Sequence, residues 1–188
     1  CRGGWPATLQ LPIEASMMIA KDYVNSVCEN DISAIDKKQR NPKIAKQILR
    51  SYARNISTIV KKTSILADVT ASGDISISMN TFDDYVGALE KLFVIQDIDA
   101  WCPAIRSKTA IRSMPKRCFT DPSIAIAAMG VNADALESQL KTFGFIFEQM
   151  CIRDLKALDA EVVRDVVDLL HFRLLGDLDI SKHDRSAP

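Results

Sequence analysis

The 188-residue sequence has no net charge, with 24 Lys and Arg against 24 Asp and Glu, so no global field draws it toward nucleic acid or an anionic membrane. It has no apolar run of membrane-spanning length, no low-complexity tract and no repeat. No membrane partner is therefore expected. Its five cysteines (Cys1, Cys28, Cys102, Cys118 and Cys151) are odd in number, scattered, and lack C-x-x-C or Cys/His ligand spacing. That pattern speaks against a disulfide framework or a zinc site and fits a reduced, cytoplasmic setting. His171 and His183 have no ligand partner at metal spacing, so no metal site is expected. No Ser/His/Asp or Cys/His arrangement is present, and no catalytic residue is assigned. The opening Cys1-Arg2-Gly3-Gly4-Trp5-Pro6 is read neither as a signal peptide nor as a translation start, and a piece of a longer protein is expected.

The chain is 47% hydrophobic and 26% charged, an ordinary globular composition with enough apolar residues for one sizeable core or two small ones. Its charge is unevenly placed. From Lys37 to Lys62 the basic residues Lys37, Lys38, Arg40, Lys43, Lys46, Arg50, Arg54, Lys61 and Lys62 occur without one acid. Such a block either tracks phosphates or forms a solvated face paired with acids elsewhere in the fold.

Periodicity gives a helix from Leu11 to about Asn30, with Ile13, Met17, Ala20, Tyr23, Val24 and Val27 on one face. A second helix follows Asn41-Pro42 with Ile44, Ile48, Leu49 and Tyr52 inward, and a short third covers Thr63 to Ala71. A fourth is expected to start near Thr81, placing Phe82, Tyr85, Val86, Leu89, Leu92 and Phe93 in the core. Val94–Ala100 and Arg117–Thr120 read as paired strands around a basic loop, 104–115, that holds Arg106, Lys108 and Arg112. Asp121-Pro122 opens a helix that Gly130 stops, and a long helix runs from Ala133 to about Leu158. Val162 to Leu175 is apolar on nearly every side and reads more as helix than strand.

The predicted fold class is mainly α with a small β-hairpin: a winged helix, meaning a helix-turn-helix plus a wing, flanked by additional helices. Three parts are expected: 1–36 as linker and N-terminal helix, 37–130 as the winged-helix domain, and 131–188 as a C-terminal helical segment. In that arrangement the fourth helix takes the recognition position and the 104–115 loop is the wing. The acids Asp83, Asp84 and Glu90 on that helix oppose a phosphate-lined groove. Nucleic-acid contact would therefore fall to Lys43, Lys46, Arg50 and Arg54 on the basic helix and to Arg106, Lys108 and Arg112 in the wing.

Four segments in this order, Arg2-Gly-Gly-Trp-Pro6, Asn80 to Pro103, Cys118-Phe-Thr-Asp-Pro122 and Gly144-Phe-Ile-Phe-Glu148, resemble the uncharacterised C-terminal domain of bacterial and archaeal AAA-like ATPases. The resemblance implies an ATPase core upstream of Cys1, with ATP and magnesium belonging to the parent. This chain has no G-x-x-x-x-G-K-[ST] segment and needs no cofactor of its own. It also implies that the Gly4-Trp5-Pro6 turn lies against adenine and that Arg2 reaches phosphates, making Arg2, Gly4 and Pro6 nucleotide-binding candidates. The alternative is a tight turn ending a linker, with Trp5 packed for stability. The family is further associated with a nuclease-like core, and Glu148 stands where its helical glutamate would be. The strand with paired acids is missing, and residues from Ala160 onward depart from the pattern. The expected function is a non-catalytic accessory module that docks on the ATPase or another protein, with DNA binding as the alternative.

Overall fold

The computed structural model describes residues 1–71, 73–99 and 114–158. Over these residues the chain is mainly helical. A 3-10 turn, Pro6–Thr8, leads into α1, Ile13–Ser26, which passes through a π-helical stretch, Val27–Asp31, into one further turn, α2, Ile32–Ala34. α3 spans Pro42–Arg54: Asn41 Oδ1 accepts from the amide of Lys43, and Pro42 fills a first-turn position where its missing N–H costs nothing. α4 is Lys62–Thr70. α5, Met79–Lys91, begins two residues before Thr81, because Ser78 is the cap and its hydroxyl accepts from the Thr81 amide at 3.2 Å.

α6, Pro122–Met129, is capped by Asp121 and closed by Gly130 at φ 70°, as its sequence signals predict. The expected single helix from Ala133 to Leu158 is instead two, α7, Ala133–Glu137, and α8, Leu140–Leu158. The Ser138 hydroxyl bonds back to the Ala135 carbonyl at 2.8 Å and ends the first of them.

The apolar octapeptide of α6 has no polar face, and it lies at the centre, packed by α1, α3 and α8. One contiguous core gathers Val24 and Val27 from the first helix, Ile48, Leu49 and Tyr52 from α3, Phe82, Val86 and Leu89 from α5, and Ile124 and Ile126 from α6. Each such side chain contributes about 1.5–3 kcal/mol by leaving water. Phe82, Tyr85, Val86 and Leu89 of α5 are buried as periodicity demands, whereas Leu92 is half-buried and Phe93 is exposed. The helix ends at Lys91, Phe93 takes a left-handed φ of 54°, and its ring is 74% exposed. Ile13 also departs from its expected inward face and is 44% exposed.

Residues 94–98 and 116–120 lie antiparallel, joined by Gln96 N to Cys118 O, Ile98 N to Lys116 O, Lys116 N to Ile98 O and Thr120 N to Val94 O. Among the described residues they form two isolated bridges, Ile95 with Phe119 and Ile98 with Lys116, and not the continuous two-stranded ladder expected. The reason is local. The amide of Cys118, which a ladder would aim at the Gln96 carbonyl, is taken instead by Asp97 Oδ1 at 3.2 Å, while the Phe119 amide, on the opposite edge, bonds Gln149 Oε1 at 3.3 Å. On its other edge Arg117 exchanges backbone bonds with Ser57 and Thr58. The expected wing at 104–115 lies outside the described residues except for its last two positions. The apolar stretch 162–175, His171 and His183 lie outside them entirely.

Candidate functional site

The candidate nucleotide turn is a polar latch. Gly3 adopts φ +76°, and Gly4 donates its amide to Asp121 Oδ2 at 2.7 Å. The next residue, Trp5, donates Nε1–H to the Ser123 hydroxyl at 2.8 Å and sets its ring 5.0 Å from that of Tyr23. Arg2 is turned back on its own segment, capping the carbonyls of Leu9 at 2.7 Å and Leu11 at 3.0 Å. Pro6 starts the 3-10 turn. Arg2, Gly4 and Pro6 are thus brought together, with the arginine donors and the Gly4 amide already engaged inside the chain.

Asp121 is the centre of this latch. Its carboxylate also accepts from the Ser123 amide at 2.8 Å, the Ser123 hydroxyl at 2.6 Å and Arg153 Nη1 at 2.6 Å. Burial alone would raise its pKa, but the Ser123, Gly4 and Arg153 donors together outweigh burial and hold the carboxyl below its ordinary value. The opening motif and the Cys118–Pro122 motif, read separately in the sequence, are therefore two halves of one contact.

The basic block is no single helix. It covers the approach to α3, α3 itself and the first turn of α4. Lys38 Nζ is 2.8 Å from Asp84 and Arg40 Nε 3.1 Å from the same carboxylate. Arg40 Nη2 meets Asp36 at 2.6 Å, its side chain is 1% exposed, and its guanidinium lies 6.0 Å over the Tyr85 ring. That guanidinium holds Asp36 down at about 2, and hydrogen bonds from Lys38 and Arg40 lower Asp84.

Of the nucleic-acid candidates, Lys46 pairs with Glu29 at 2.8 Å, Arg54 with Asp68 at 2.9 Å, and Lys43 stands 4.0 Å from Asp74. Arg50 is exposed and meets no described carboxylate within 4.0 Å. Lys62 pairs with Asp83 at 3.0 Å. Arg106, Lys108 and Arg112 lie outside the described residues.

Two buried ion pairs sit behind the bridged segments. Arg117, 4% exposed, meets Asp97 and lies 5.9 Å over the Tyr52 ring, while Lys116, 5% exposed, meets Glu148. Glu148 thus ties α8 to the bridged pair. Among the described residues no group of three His, Cys, Asp or Glu could hold a metal ion, and no helix is long and apolar enough to cross a membrane. Desolvation raises the Cys28 and Cys118 thiols to about 12. Sequence reasoning found Asp121 as a helix cap but not its reach to Gly4 and Arg153, which are 117 and 32 residues away.

Residues 1–135 match a family model described as a domain of unknown function (DUF8612). Neither the curated proteins nor the solved structures give a match.

Proposed function

The chain belongs to the family described as a domain of unknown function (DUF8612), and we propose that it is a non-catalytic accessory module, built on a winged-helix plan, that docks on a protein. The partner is the ATPase core of an AAA-like parent, in which ATP and magnesium reside. The order of α3, α4 and α5 followed by an antiparallel pair supports the winged-helix plan. One observation carries the docking reading: five of the nine cations of the basic block are already paired with carboxylates of the same chain, Lys38 and Arg40 with Asp84, Lys46 with Glu29, Arg54 with Asp68 and Lys62 with Asp83. A phosphate would have to displace these carboxylates, and each neutralised cation releases fewer counterions on binding.

DNA binding is the second reading, favoured by Arg50, which is exposed, and by Lys43, whose 4.0 Å pair is the loosest of the series. Titrating the full chain into the parent's ATPase domain by calorimetry, alongside polarisation of labelled duplex DNA, separates the two. Docking predicts saturable heat with the ATPase domain and a shallow salt dependence on DNA. A steep salt slope that vanishes when Lys43, Lys46, Arg50 and Arg54 all become Glu, with no heat from the ATPase domain, refutes docking and establishes the alternative.

A further inference from the structure

Phe93 incurs two energetic costs without a structural return. It occupies the position after a helix end where the chain turns left-handed, fixed by Phe93 N to Glu90 O at 3.0 Å and Val94 N to Leu89 O at 3.0 Å, and glycine is the residue that fits there without strain. Its ring is 74% exposed, so core packing does not offset the strain. Strain held at an exposed aromatic marks a place where the side chain acts outward.

The ring borders an open groove of about 490 Å3 whose other aromatic walls are Trp5 and Tyr23. Those two rings are tilted by 59° with centroids 5.0 Å apart, and the Trp5 bond to Ser123 keeps its ring from swinging. The groove's charged members are Asp121, Arg153 and Asp154. Arg153 is shared between the two carboxylates, 2.6 Å from each, so the three carry one net negative charge, and Asp154 remains 51% exposed. Three aromatic side chains beside a cluster that, among the described residues, holds one more carboxylate than cation give a cation on an aliphatic stem an electrostatic gain that a neutral apolar group of the same size lacks.

We propose that this groove receives the ammonium or guanidinium of a lysine or arginine side chain from the docking partner, an assignment that rests on the protein-docking reading above. The test is a titration of the 15N-labelled full chain with tetramethylammonium chloride, set against sodium chloride at equal ionic strength and against neutral tert-butanol. The Trp5 indole N–H and the Phe93 amide are followed. Saturable shifts with tetramethylammonium alone are expected. Phe93→Gly, which removes the backbone strain, is expected to raise Tm while weakening the cation about two- to fivefold, and Tyr23→Leu to weaken it similarly. Shifts no larger than those from sodium chloride, equal shifts from tert-butanol, or undiminished affinity in Phe93→Gly would each overturn the assignment. Failure of the cation titration removes this site alone, whereas failure of the ATPase domain to bind removes the function on which it rests.

Discussion

Replacing Gly3 by alanine tests the latch most directly. At φ +76° any L side chain pays about 1 kcal/mol. The new Cβ would also stand 2.4 Å from the Ser123 hydroxyl, 2.5 Å from Asp121 Oδ1 and 2.8 Å from Ser123 Cβ, and no real methyl tolerates such distances. The opening segment must lift, and with it go the Gly4–Asp121 and Trp5–Ser123 bonds at 2.7 and 2.8 Å. A hydrogen bond to a carboxylate contributes about 1.5–3 kcal/mol and a neutral one about 1 kcal/mol. The expected loss is therefore about 4 kcal/mol, or roughly 10 °C in Tm for a chain of this length. Urea unfolding followed by far-UV circular dichroism measures it. Gly87→Ala in α5 and Gly144→Ala in α8, where a Cβ meets nothing within 4 Å, are the controls and should each gain up to about 1 kcal/mol. A Gly3→Ala protein within about 0.5 kcal/mol of the parent would refute the idea that the opening turn is held by Asp121 and Ser123.

Arg40→Met should cost about 3 kcal/mol in urea unfolding, because Asp36 and Asp84 lose the guanidinium that both share; an unchanged midpoint would contradict the clamp. Asp36, Asp84 and Asp121 all titrate below their ordinary values in the fold, so their stabilisation is complete above the unfolded carboxylate range, near pH 4, and is lost as pH falls through the folded values. For Asp36 the window reaches down to about 2, and Asp36→Asn should flatten the acid limb of a stability–pH curve. Iodoacetamide at pH 8, read by mass spectrometry, should modify exposed Cys1 while native Cys28 and Cys118, with thiols near 12, stay unlabelled until urea opens the core.

Features set by neighbouring residues were legible in the sequence. The Asn41-Pro42 and Asp121-Pro122 caps, the Gly130 stop and the inward stripe of α5 follow from spacing and side-chain chemistry within one or two turns. What escaped was decided by partners far along the chain. Asp97 takes the Cys118 amide that strand pairing would have used, so alternation in 94–100 overstates the strand. The carboxylates that neutralise Lys46, Arg54 and Lys62 lie 17, 14 and 21 residues away, invisible in a charge run read linearly. Phe93 continued the apolar period of α5 arithmetically, but Leu92 had already left the helix. In the opening motif attention falls on the Gly-x-Pro spacing of Gly4 and Pro6, whereas the strained backbone belongs to Gly3. The positions of Asp121 and Ser123, together with the left-handed φ, explain why a glycine is needed there.

The bond between Gly4 and Asp121 joins residues 117 apart, and this orders events during synthesis. During synthesis the segment around Gly4 cannot settle until α6 follows it out of the ribosome, on the order of ten seconds later at ordinary elongation rates. In that interval Trp5 has no Ser123 to bind and α1 has no α6 to cover it, so a nascent chain halted before residue 121 keeps the apolar face of α1 open to chaperones and proteases.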